Sequence, residues 1–193
     1  MTDPRHPGEN VVVLEPSLSS VTTERCVHQA EALGVAETPI LDLTFTDSPD
    51  RRIDTWRERL SAAPPAIEVV AVGQTRGTGE PTGGPTRFGT DDQFGARTVE
   101  DPRDLTGIGI AVSETFDRWS ERDRAVVRVG RLTTLLQYAD ESTVFRFLHV
   151  LTNRLTQADA VAFYRLAPEA HDDQTVGTLF QLFDDAVRVE AES

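Results

Sequence analysis

A run of hydroxyl side chains, Ser17, Ser19, Ser20 and Thr22, follows a four-residue apolar stretch (Val11-Val12-Val13-Leu14), with Glu15 and Pro16 between. That order predicts a buried strand, a turn and the entry of a helix over residues 10–23. Such a junction holds phosphates in nucleotide-binding α/β proteins, because unpaired helix N–H groups and the helix dipole favour an anion there. A working phosphate loop reads G-x-x-x-x-G-K-[ST]: its glycines let the backbone curl round the phosphates, and its lysine reaches their oxygens. This turn has no glycine and no lysine, and an acid stands at its mouth. The geometry of an anion cradle is expected, without the chemistry. For the four hydroxyls the ordinary role is helix capping. Asp47, ahead of Ser48-Pro49, has an equally ordinary reading as an N-cap or first-turn acid.

The remaining reactive residue types are sparse. The one cysteine, Cys26, excludes an intramolecular disulfide and a cysteine zinc site, and its place in a helical segment reads as a buried thiol. The four histidines are dispersed, without H-x-x-x-H or H-E-x-x-H spacing, and His171-Asp172-Asp173 reads as an acidic helix start. No G-x-S-x-G elbow occurs. Catalytic residues, metal and cofactor are therefore all expected to be absent.

The charge balance is 32 Asp+Glu against 19 Lys+Arg, net −13, over 193 residues, and every one of those cations is arginine. Acidic excess without lysine suits a protein working in multimolar salt, where the Debye length falls to roughly 3 Å and like surface charges hardly repel. A mildly acidic protein from a GC-rich genome is the plainer account. The missing lysine also removes Schiff-base chemistry and a lysine base. Net −13 argues against nucleic acid and against an acidic membrane surface. With no charged-then-apolar leader and no apolar run long enough to span a bilayer, a cytoplasmic protein is expected.

Strands alternate with helices along the chain. Residues 1–9 read as a flexible N-terminus, and residues 10–190 as one domain. Strands are expected at 11–14, 39–46, 67–72, 125–129 and 159–166, with a terminal one at 186–190. Helices are expected at 20–33, from Ser48 to before Pro64, and at 104–119, 132–138, 141–158 and 172–184. Residues 74–97 hold six glycines, two prolines and little apolar content, which predicts one long mobile loop. The result is a three-layer α/β fold with a mainly parallel sheet and helices on both faces. Its crevice lies beyond the carboxyl ends of the strands. Glu15 to Thr22, Thr46-Asp47, Gly130-Arg131 and Arg165 are thereby expected on one rim. Arg131 is the candidate cation there, to bind a carboxylate or phosphate or to pair with Glu15 or another rim acid.

With the segments in order, the chain resembles the RecA superfamily and its KaiC-like branch. Residues 44–50 (TFTDSPD) resemble the T-F-E-E-S-P-E segment of KaiC-type ATPases. Residues 126–135 (VVRVGRLTTL) resemble the Walker B run V-V-I-D-S-L-[ST]-A-L, and residues 10–23 fill the P-loop slot. The phrases LEPSLSSVTTE, TDSPD, DLTGIGIAVSE, LTTLLQY, FLHVLTNRL and HDDQTV resemble a family of uncharacterised haloarchaeal proteins related to KaiC and RecA. The resemblance implies a family catalytic set: a P-loop Lys, a Ser/Thr on Mg²⁺, a carboxylate that activates water and a Walker B Asp. At those places this chain has Ser20 or Val21, Thr22, Thr46 followed by Asp47, and Val129 or Gly130.

The expectation is a non-catalytic RecA/KaiC-like domain that binds another protein or itself, in signalling or regulation in a halophilic archaeon, and that requires high salt. The alternatives are a module that keeps the crevice for a small ligand or nucleotide without hydrolysis, held by residues 17–22 and Arg131, and an atypical ATPase borrowing its cation in trans.

Overall fold

The computed structural model describes residues 4–16, 19–73, 86–88, 93–119 and 124–189. Strands β1 (Asn10–Leu14), β2 (Ile40–Thr44), β3 (Ile67–Val72), β4 (Thr86–Phe88), β5 (Phe94–Val99), β6 (Val126–Arg131), β7 (Val161–Leu166) and β8 (Asp185–Arg188) form one sheet. Their order is β4-β5-β3-β2-β6-β7-β1-β8, and every neighbouring pair is parallel except β4 with β5. Among the described residues six α-helices cover it: α1 (Val21–Leu33), α2 (Pro49–Arg59), α3 (Leu105–Arg118), α4 (Leu132–Tyr138), α5 (Glu141–Gln157) and α6 (Asp173–Phe180). This is the expected three-layer α/β fold.

Buried strands with β-branched and aliphatic residues on both sides are what a parallel sheet covered on two faces requires. On one face Val11, Val13, Ile40, Val69, Val126 and Phe163 pack with Cys26 and Ala30 of α1 and Trp56 of α2. On the other, Val12, Leu43, Val70, Val127 and Tyr164 pack with Ile108 of α3, Leu135 of α4, Leu148 of α5 and Leu179 of α6. Helix starts follow their sequence signals. Ser48 caps α2, accepting the Arg51 N–H at 3.4 Å ahead of Pro49, and Asp140 caps α5, accepting the Thr143 N–H at 3.0 Å. Asp172 caps α6 in the same way, as an acidic helix start should, at 2.7 Å from the Thr175 N–H.

The expected loop over 74–97 needs correcting. Residues 86–88 and 94–99 are strands, and β5 is an inner strand lying between β3 and β4. Its sequence, FGARTV, lacks an apolar run because Arg97 is buried as an ion-pair partner and Gly95 brings no side chain. Residues 74–85 and 89–92 of that stretch lie outside the described residues. Within the expected flexible N-terminus, Arg5 is tied in on three sides. Its N–H donates to Gln29 Oε1 (2.7 Å), its carbonyl accepts from Gln29 Nε2 (3.0 Å), and its guanidinium pairs with Asp185 (2.6 Å). The last helix ends at Phe180, short of the expected 184, and β8 begins at Asp185.

Candidate functional site

The carboxyl ends of β1, β7, β6 and β2 lie side by side, so the sheet brings the predicted rim together. Arg165 stands opposite Val13 on one side and Arg131 on the other, and Leu43 stands opposite Val129. At the mouth of this crevice the Glu15 carboxylate turns inward and is buried. One oxygen, Oε2, accepts the backbone N–H of Thr22 at 2.9 Å and the Ser19 hydroxyl at 3.2 Å. The other, Oε1, is 2.7 Å from Arg165 Nε. Arg165 also donates from Nη2 to the Pro16 carbonyl at 3.1 Å, clamping the turn.

The start of α1 is thus met by the chain's own carboxylate. Glu15 accepts a first-turn N–H and lies in the helix dipole's favourable field, as an anion does at a helix N-terminus. Ser19 completes the cap by accepting the Val21 N–H at 3.2 Å. Ser20 does not cap with its side chain; it is exposed, and its hydroxyl donates to Glu24 at 2.6 Å. Thr22 Oγ1 is buried with no hydrogen-bond partner among the described residues. Ser17 lies outside the described residues.

The other rim candidates hold subsidiary positions. Asp47 is half-buried just past β2, its N–H donating to Thr44 Oγ1 at 3.3 Å; Ser48 beside it supplies the cap of α2. Arg131 ends β6, half-buried and across from Arg165. The partner of Glu15 is Arg165, not Arg131, because the β7 side chain points to the same face as the end of β1 while Arg131 follows an irregularity in the β6–β7 register.

That irregularity centres on Gly130. A Cβ there would meet the Leu43 carbonyl oxygen at 2.8 Å and Thr44 Cα at 3.4 Å. Backbone atoms do not yield as a flexible side chain does, so β6 approaches β2 here only because residue 130 has no side chain. The same contact excludes an aspartate at 130 without displacing the strand.

Below the rim, the sheet carries charges that sequence reasoning missed. Asp42 of β2 is fully buried and accepts from Arg52 Nε (2.7 Å), Trp56 Nε1 (2.8 Å) and Arg128 Nη1 (2.8 Å). Arg128 Nε donates onward to Thr23 Oγ1 at 3.1 Å, fixing α1 to β6. Burial pushes the Asp42 carboxyl up, but Arg128 and Arg52 outweigh it and hold it below its ordinary value. On the opposite face Glu68 Oε1 lies 3.0 Å from both Arg97 Nε and Arg118 Nη2, and Arg97 also grips Glu114 of α3. The signal was present in the sequence: β2, β3, β5 and β7 each carry one charge in a strand, and β6 carries Arg128 among valines.

Chemically, these groups bind one another. Each buried carboxylate is neutralised by arginine, and the Cys26 thiol is buried, which raises it far above any reactive range. Among the described residues no group of histidine, cysteine, aspartate and glutamate could hold a metal ion, and no helix is long and apolar enough to cross a membrane.

The model of DUF7504, a family of unknown function, matches residues 8–189. No curated protein matches the chain. Among solved structures it is similar to a protein from Pyrococcus horikoshii OT3, the subject of a structural study of project PH0250. That match has a TM-score of 0.56 and 12% identity, over 96% of this chain and 84% of the other. The likeness is one of fold.

Proposed function

This chain belongs to the DUF7504 family, and we propose that it is a non-catalytic, RecA/KaiC-like domain whose work is to bind another protein in a regulatory role. One observation carries the reading: the buried Glu15 carboxylate, beside Arg165, accepts the first-turn N–H of α1 at the turn that the resemblance sets in the P-loop slot. A phosphate entering there would lie a few Å from a buried carboxylate. At an effective dielectric near 20, two like unit charges repel by about 4 kcal/mol at 4 Å, of which Arg165 beside the carboxylate offsets part. To move aside, Glu15 would leave a buried ion pair, and breaking such pairs costs about 3–5 kcal/mol. The chain offers no lysine in return. At Gly130, one of the two places aligned with the Walker B aspartate, the Leu43 carbonyl leaves no room for a side chain.

The same reading places the protein in a halophilic archaeon, supported by net −13 and cations that are arginine alone. A fold built for a nucleotide-driven switch, with its switch position filled from within, serves as a fixed surface for a partner. The test is a melting curve in molar KCl with and without Mg-ATP, alongside a phosphate-release assay. No shift and no release are expected. A clear Mg-ATP-dependent rise in Tm would overturn the reading and favour a nucleotide-binding module without hydrolysis.

A further inference from the structure

Helices α3 and α5 run beside each other on the outer face and leave a groove of about 610 Å³ between them, floored by Gly109 and walled by Leu105, Ile110, Phe147 and Val150. Among the described residues only three large apolar side chains are exposed, and two of them, Ile110 (44%) and Val150 (67%), stand on this groove. No described residue covers them.

Gly109 is the second observation. Glycine inside a helix costs up to about 1 kcal/mol relative to alanine. A Cβ at Gly109 would meet nothing within 4 Å, so packing within the chain does not require glycine there. It does lower the groove floor, letting another backbone approach closely. By 1.5 Å per residue, the 14 residues of α3 offer a trough about 21 Å long. That is the length of a helix of about four turns, and grooves between two helices take the apolar ridge of a third.

Charge decides what kind of helix. The charged residues lining the groove are Glu114, Arg146 and Arg154. Glu114 is engaged by Arg97, and Arg154 by Asp117 at 2.7 Å. Arg146 bonds only Thr143 Oγ1 at 3.3 Å and has no carboxylate partner among the described residues. Arg146 is thus the one charge lining the groove without a counter-ion among the described residues. A second copy fits poorly. It offers Arg146 no free carboxylate, because the acids beside the groove, Glu114 and Asp117, are already engaged by Arg97 and Arg154. We propose that the α3–α5 groove docks an acidic amphipathic helix of a partner protein, its apolar stripe on Ile110, Phe147 and Val150 and a carboxylate on Arg146. This rests on the interaction-module reading above and names the surface it uses.

The probe is a fluorescent synthetic helix of about four turns, with leucines on one stripe and glutamates flanking them, titrated in molar KCl and read by anisotropy. A Lys-flanked counterpart is run beside it. Saturable binding of the Glu-flanked helix is expected, weakened at least about tenfold by Gly109→Leu and by Val150→Asp. Gly109→Leu fills the groove without touching the core, so its Tm should not fall. Arg146→Glu should transfer preference to the Lys-flanked helix. Absence of saturable binding, equal binding of both helices, or binding indifferent to Gly109→Leu would overturn the proposal. So would a concentration-dependent dimer that Gly109→Leu dissolves, since the groove would then take a second copy. The Mg-ATP melt separates the two readings. A nucleotide shift with helix binding intact sinks only the non-catalytic assignment, and no shift with no helix binding sinks only the groove.

Discussion

Glu15 does in one side chain what a bound ligand does elsewhere: it satisfies the start of α1 and neutralises Arg165. Replacing it with alanine removes the acceptor for the Thr22 N–H and strips Arg165 of that carboxylate inside the fold. A loss of about 3–5 kcal/mol is expected. If the carboxylate stands in for an anion, sulfate should restore part of that loss in Glu15→Ala and do less for the parent chain, whose site is filled. Thermal melts in molar KCl, with and without added sulfate, measure the difference. Equal responses of the two proteins would mean that Glu15 is a cap and nothing more. This substitution was half legible in the sequence. An acid and no lysine at the mouth of the turn were plain, but the arginine that pairs with the acid comes from a strand about 150 positions away. Only the β1–β7 pairing puts the two within reach, so Arg131, nearer to a recognisable motif, drew the assignment instead.

At the level of elements, the buried charges explain both what could be read and what could not. Strands β1, β2, β3, β6 and β7 declared themselves by apolar runs, because both faces of a covered parallel sheet are buried. Strand β5 hid, because its burial rests on Arg97 meeting Glu68 of β3, and a charge with a glycine nearby looks like a loop until the pairing strand is known. The Asp42–Arg128 pair sits in direct register between β2 and β6, and Arg52 and Trp56 bring α2 to the same carboxylate. Its removal should therefore loosen three elements together. Asp42→Asn is expected to cost about 3–5 kcal/mol by leaving two guanidiniums facing a neutral amide. The pH dependence has a definite sign. Because folding lowers the Asp42 carboxyl below its ordinary 3.8, the carboxylate contributes fully above that value, and the contribution is lost as pH falls through the folded value. Melts between pH 6 and pH 2 in constant salt should fall more steeply for the parent than for Asp42→Asn. Parallel curves would show that this pair is not what titrates.

For the whole molecule the question is where net −13 resides. Among the described residues the buried acids are Glu15, Asp42 and Glu68, and the buried arginines are Arg52, Arg97, Arg128 and Arg165. The described interior is thus slightly cationic, and the acid excess is carried outside these buried residues. The two charge populations should respond to salt differently. Buried pairs are screened little, whereas exposed carboxylates repel one another over a Debye length that grows from roughly 3 Å at 1 M to about 10 Å at 0.1 M. Dilution therefore adds repulsion to the folded state without strengthening the core in proportion, and the compact state should weaken. Apolar burial across both sheet faces sets how much repulsion can be borne, since net stability is only about 5–15 kcal/mol. Both tryptophans report on this directly: Trp56 lies under α2 beside Asp42, Trp119 closes α3, and both are buried. Their emission should be blue and invariant in molar KCl, and should shift red as KCl falls toward 0.1 M, returning when salt is restored. Emission and cooperative melting that stay unchanged in dilute buffer would show that the surface charge is tolerated without salt. The halophile assignment would then lose its physical basis, while the plugged crevice and the α3–α5 groove would stand on their own evidence.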